Sequence, residues 1–302
     1  PPAVKTIYLP GNPPDTPFAQ LLLSPDPKSF LANYPFDVSP VDDDRPFFFY
    51  TVQTRDLWNY MFHANVANID YKINRAVPLL FALIAISITA TLLILSLPRV
   101  LLRSELPKQK GIVAFLWYFL CLGAGYILIQ VALIQKFVLL LGHPTYALTV
   151  IVFSMLVASG TGSFFSRRFI AGDDQRLMAG LAAIAVLIAV LAFVASPLSA
   201  AAAGWNVYSK MAITALSIAP AAFLMGMPFP SGLRRLEERH PPSVRWAWSI
   251  NAAASVLGSG GAIVLAIYLG LRATMLIGGA LYLVALLVIA TTRKSAAIAL
   301  NP

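Results

Sequence analysis

The chain has 302 residues, 58% of them hydrophobic and only 12% charged, with a mean hydropathy of +0.74. Soluble domains carry roughly 25% charged residues, so this composition excludes a soluble enzyme, a disulfide-stapled secreted module and a disordered tail. Charge is divided unevenly: residues 1–70 hold four basic and eight acidic side chains, net −4, whereas residues 71–302 hold eighteen basic and five acidic ones, net +13. The basic residues sit between long apolar runs, where they act as topology signals and anionic-lipid contacts rather than as a nucleic-acid surface.

The chain opens Pro1-Pro2 without an initiator Met, which suggests a processed or truncated polypeptide. Residues 1–50 are broken by Pro10, Pro13, Pro14, Pro25, Pro27, Pro35 and Pro40. The short pieces Phe18–Leu23 and Ser29–Tyr34 suit either strand or helix, and apolar positions are too few for an independent core. Residues 52–72 place Leu57, Tyr60, Met61, Val66 and Ile69 among polar residues, the pattern of an amphipathic helix at a membrane surface with Trp58 and Tyr60 as interfacial anchors.

A spanning helix needs about 20 apolar residues, and the remaining sequence supplies seven such runs. They are Ala76–Pro98, Gly111–Ile134, Thr145–Phe165, Leu177–Leu198, Met211–Phe229, Trp246–Leu269 and Ala273–Ala290. The expected fold is therefore an all-α integral membrane protein of about seven transmembrane helices with a short extramembrane N-terminal segment. Alternate loops hold thirteen Lys and Arg residues on one side, such as Arg167, Arg168 and Arg234, and six on the other: Arg55, Lys72, Arg75, Lys136, Lys210 and Arg272. The positive-inside rule assigns the thirteen and the C-terminus to the cytoplasm and residues 1–70 to the outside.

Polar and small residues within the spans are the candidates for function. Gln130, Gln135 and Asn251 carry amides that need partners in hydrocarbon. Helix-to-helix hydrogen bonds would satisfy them, and so would a wet cavity near Gln130 and Asn251. Gly160 and Gly162, flanked by Ser159 and Ser163, permit close helix packing or a hinge before Arg167 and Arg168; Gly258 reads the same way. Pro220 and Pro228 disfavour regular helix in the fifth span, giving either kinked packing or a substrate cavity. His63, His143 and His240 lack ligand spacing, so neither a metal nor another cofactor is expected. The sequence presents no catalytic constellation.

Several segments together resemble bacterial membrane proteins in which a spermidine synthase-like, Rossmann-type domain is fused to multi-helix membrane segments. They are Pro40-Val41-Asp42-Asp43-Asp44-Arg45-Pro46-Phe47-Phe48-Phe49, Ala132–Phe137, Leu141–Ala147, Ser159–Ser163, Gly226–Gly232 and Trp246–Gly258. The first resembles the stretch that closes the family's soluble domain, with Asp42 where Thr is usual, so Asp43, Asp44, Arg45 and Pro46 form a junction motif. Gln130 stands where the family usually places Glu, and an amide carries no proton. The Gly-rich adenosyl-binding turn after a first strand is absent from the sequence, since Gly258-x-Gly260-Gly261 lies within an apolar run.

The resemblance implies three parts: a tail of the soluble domain over residues 1–51, an interfacial linker over 52–75 and a multi-pass domain over 76–302, in a bacterial inner membrane. The implied function is anchoring or scaffolding for an aminopropyltransferase-like or methyltransferase-like domain, with no catalytic site in this chain. A transporter-like unit for a small or lipophilic substrate and a structural accessory subunit of a larger membrane complex are the alternatives. The expected partners are the lipid bilayer, other complex subunits or the missing Rossmann-type domain, and no nucleic acid. A cytosolic adenosyl donor and an external position for residues 1–70 are in tension within this reading.

Overall fold

The computed structural model describes residues 6–48, 50–57, 76–101, 112–170 and 172–299. The described residues contain helices and turns and no strand. The chain divides into two compact units, Pro1–Val41 with Phe47–Phe81, and Asp42–Pro46 with Ala82–Pro302.

In the first unit both ambiguous pieces are helices, because each begins with a capping residue followed by proline. Thr16 caps α1 (Pro17–Leu23), its hydroxyl accepting from the Ala19 amide at 3.2 Å. Asp26 caps α2 (Pro27–Asn33) by accepting from the Lys28 and Ser29 amides. Proline at the first helical position loses no hydrogen bond, and its fixed φ favours the helix. The Gln53 amide then donates to the Tyr34 carbonyl at 2.8 Å, tying the following segment back onto α2. Of the expected amphipathic helix over 52–72, a 3-10 turn at Thr54–Asp56 is seen; residues 58–75 lie outside the described residues.

The protein is an all-α, multi-pass integral membrane protein. Its long helices are α3 (Ala76–Leu101), α4 (Ile112–Leu141), α5 (Pro144–Phe169), α6 (Asp174–Ala201), α7 (Val207–Met225), α8 (Pro228–Arg239), α9 (Val244–Leu269) and α10 (Leu271–Ala299). Among the described residues six stretches are long and apolar enough to cross a membrane, with α7 and α8 counted as one; α3 adds a shorter apolar stretch, Leu79–Leu93. At 1.5 Å per residue, a 30-residue helix such as α4 is about 45 Å long, more than the hydrocarbon thickness.

The second unit is organised around α4, which packs against α5, α6, α7, α8, α9 and α10. Its interior face carries Tyr118, Phe119, Ile129, Leu133 and Phe137, all inaccessible to solvent. The outer helices turn large apolar side chains outward, such as Phe153, Phe164 and Leu216. Lipid makes that arrangement favourable where water would not. Exposed Trp205 and Tyr208 stand at one end of the helices and exposed Trp117 and Trp248 towards the other, the placement of interfacial aromatic belts.

Several helix ends depart from the sequence expectation, α10 running to Ala299 where Ala290 was expected, and two departures bear on the site. The second span continues to Leu141, so Gln135, Lys136 and Phe137 lie in α4 and not in a connecting loop. The fifth span does not run unbroken to Phe229: α7 ends at Met225 and α8 begins at Pro228. Pro228 and Pro230 supply no N–H to the carbonyls four residues back. The Met227 amide bonds instead to the Leu224 carbonyl three residues back, at 3.1 Å. Pro220, by contrast, is accommodated inside α7.

Candidate functional site

The junction motif forms the most extensively bonded polar site in the second unit. Asp42 opens it, its Oδ1 accepting from the Asp44 amide at 2.9 Å and the Arg45 amide at 2.7 Å. This local turn presents Asp44 to the start of α10. The Asp44 carbonyl accepts from the Leu271 amide at 2.8 Å, and its Oδ1 accepts from the Arg272 amide at 2.8 Å. Two first-turn donors that α10 cannot satisfy itself thus receive partners from a distant segment. Arg45 does the converse, its Nε donating to the Ile267 carbonyl near the end of α9 at 3.2 Å. The carboxylate meets a helix N-terminus and the guanidinium a helix C-terminus, the favourable sign in both cases.

Gly270 is the single residue between these two helices. Its φ of +93° lies where side chains are rarely tolerated. A Cβ there would also stand against the Asp44 carboxylate. Glycine is required on both counts.

Lys136 completes the site from α4. Its side chain is only 2% exposed, and its Nζ lies 3.4 Å from Asp44 Oδ1 and 3.2 Å from the Asp43 carbonyl. Pro46 closes the motif, half-buried. The motif thereby binds three helices: α4 through Lys136, α9 through the Ile267 carbonyl and α10 through its first amides. Lys136 was assigned to a loop by sequence reasoning. Its place four residues after Ala132, which is completely buried, identifies it as interior only once α4 is known to continue.

The intramembrane amides occupy separate places. Asn251 on α9 donates from Nδ2 to the Phe119 carbonyl of α4 at 3.0 Å. One turn on, Ser255 Oγ donates to the Asn251 carbonyl at 3.0 Å or the Gly123 carbonyl at 3.3 Å. Gly123 admits this contact, for a Cβ would meet the Asn251 carbonyl. Gln130 is 9% exposed and lies eleven residues beyond Phe119, about 16 Å along the helix axis. The two amides therefore do not converge on one point. Gln135 is half-buried further along α4.

The small residues also separate by role. Gly162 of α5 packs directly against the Phe223 carbonyl of α7, and Gly226 against the Ser159 carbonyl in return. Gly258 on α9 sits over Ala124 and Ile127 of α4, whereas Gly160 is exposed with open space beside it. Pro228, at the start of α8, offers its carbonyl to the buried Tyr118 hydroxyl at 2.7 Å.

At the opposite end of α4 lies a second buried cation, which the sequence analysis did not single out. Arg235 is 7% exposed. Its Nε pairs with Asp174 Oδ1 at 2.7 Å, while Nη2 and Nη1 donate to the carbonyls of Gly172 and Ser231. The amphipathic spacing of α8 was the available signal, because Ser231, Gly232, Arg235 and Leu236 share its buried face. Nearby, Phe169, Leu177, Gly180, Phe223, Leu224 and Met227 line a cavity of about 170 Å³ with Arg176 at its edge.

His143, the residue before α5, caps it by accepting from the Thr145 amide at Nδ1. His240 Nδ1 lies 2.7 Å from Ser243 Oγ. Among the described residues no group of three His, Cys, Asp or Glu side chains is placed to hold a metal ion. Comparisons of the chain with protein families, curated proteins and solved structures find no match.

Proposed function

We propose that this chain is the membrane domain of a spermidine synthase-like fusion protein and serves as a scaffold that holds an extramembrane domain against the bilayer. The observation that carries the reading is the Asp42–Pro46 clamp. The residues with the strongest resemblance to the family junction are those bonded to Lys136, Ile267, Leu271 and Arg272. Such a clamp fastens the Asp42–Pro46 segment itself to three helices. The central polar contacts favour a scaffold too, since Asn251 is engaged with the α4 backbone. Chemistry, on this reading, belongs to an adenosyl-donor domain and to none of these helices.

The loop charges support a bacterial inner-membrane orientation with residues 1–70 outside and the C-terminus in the cytoplasm. Lys136 and Arg235 are both buried in helices, and without them the bias is twelve against five.

The test is to insert a specific protease site within residues 58–75 and cut the purified protein in mild detergent. The N-terminal fragment should remain with a C-terminally tagged membrane domain and be released from an Asp44→Ala variant. A fragment lost as readily from the unmutated clamp refutes the holding role. The gene upstream of Pro1 tests the family assignment: a Gly-rich adenosyl turn is expected there, and an upstream region without one overturns it.

A further inference from the structure

We infer that the crevice between the end of α5, the start of α6 and the end of α7 binds one anionic phospholipid, with an acyl chain inside and the headgroup at Arg176. The inner surface is hydrocarbon: Leu177, Leu224 and Met227, with Phe169 and Phe223 edge-to-face at 6.2 Å. The crevice is lined mainly by apolar surface and is partly open, and its volume of about 170 Å³ has room for part of an acyl chain. Gly180 keeps the space open, because nothing lies within 4 Å of where its Cβ would be.

The mouth supplies the selectivity. The Arg176 side chain is 60% exposed and meets only the 45% exposed Asp173, at 3.6 Å, a pair that solvent screens. Asp174, the other carboxylate of this turn, is already held by Arg235 at 2.7 Å. Arg167 and Arg168 lie exposed in the last turn of α5. Asp173 is itself engaged, capping α6 through the Gln175 amide and pairing with Arg176, so the mouth, where Arg176 is the lining cation, complements a negative headgroup. The position also fits, since α5 ends and α6 begins beside the crevice, at the depth where headgroups sit.

The experiment is native mass spectrometry of the intact protein with phosphatidylglycerol or phosphatidylcholine of identical chains, and with soluble glycerol phosphate as a headgroup-only probe. The protein should retain phosphatidylglycerol over phosphatidylcholine by about fivefold, the worth of one arginine near a charged lipid surface. Arg176→Gln should abolish the preference, and Gly180→Leu should reduce retention of both lipids by filling the crevice. Equal retention of the two lipids, undiminished retention by Gly180→Leu, or competition by glycerol phosphate as strong as that of the lipid overturns the proposal. Arg176 is exposed and its replacement disturbs no packing, so the charge arm decides even if Gly180→Leu fails to fold.

Discussion

Replacing Asp44 separates two contributions that the clamp combines. Its carboxylate caps α10 through the Arg272 amide and faces the buried ammonium of Lys136. Asparagine caps a helix about as well as aspartate, so Asp44→Asn removes chiefly the charge. At 3.4 Å and an effective dielectric constant of 20, the gross attraction is about 5 kcal/mol. Desolvation offsets most of it, and breaking a fully buried pair costs about 3–5 kcal/mol. Asp44 is 28% exposed and Lys136 keeps the Asp43 carbonyl, so the cost falls below that range: about 2 kcal/mol for Asp44→Asn. Asp44→Ala also loses the cap, which adds about 1 kcal/mol.

Lys136→Met in the Asp44→Asn background removes the stranded ammonium and should recover most of the loss, because an apolar residue of similar volume often replaces a buried ion neutrally. The assay is thermal unfolding in detergent across wild type, both single variants at Asp44, Lys136→Met and the double variant. The expected order of stability is wild type, then the double variant, then Asp44→Asn, then Asp44→Ala. If Asp44→Asn matches wild type, or Lys136→Met deepens its loss, the ion pair is not what stabilises the clamp.

Gly162→Ala places a methyl against the Phe223 carbonyl and should destabilise by about 2–3 kcal/mol. Gly160→Ala, facing open space, should be neutral or stabilise by up to about 1 kcal/mol through helix propensity; equal effects in thermal unfolding would contradict the α5–α7 crossing. Asp174→Ala leaves the Arg235 guanidinium buried beside only carbonyls, at an expected cost of about 3 kcal/mol. Adding Arg235→Met should restore much of that stability, and proteolysis of α8 should report the loss and recovery. Asn251→Ala should cost about 1 kcal/mol, in the range of interhelical hydrogen bonds in membranes, without changing the oligomeric state on size exclusion.

The hydrophobic runs made the fold legible because a bilayer allows few alternatives: twenty apolar residues in sequence satisfy their backbone only as a helix. Helix ends were less legible. Lys136 is charged and follows Gln135, which argues for a loop on composition alone. What overrides composition is a carboxylate 92 positions away in sequence, and no local window contains it. Arg235 was hidden in the same way, its partner Asp174 lying 61 positions earlier. Small residues were ambiguous for a different reason. Gly160 and Gly162 are equivalent in sequence, yet one faces open space and the other a carbonyl, and only the direction of the helix crossing distinguishes them.

The positions of the two buried cations explain why a polar clamp is compatible with an apolar fold. Lys136 lies towards one end of α4, and Arg235 binds Asp174 at the other end of the bundle, where Tyr118 of α4 also reaches Pro228. Each cation meets a carboxylate from a segment that begins or flanks a helix, near the ends of the spans, where a bilayer would meet water. At that boundary the desolvation cost is lower than at the bilayer centre, while the neighbouring protein still excludes enough water for the pairing to matter. Between the two ends the helices are joined by small-residue crossings and neutral hydrogen bonds, such as Gly162 with Phe223 and Asn251 with Phe119. Charged fastenings at the ends and close backbone contact between them restrain sliding as well as separation.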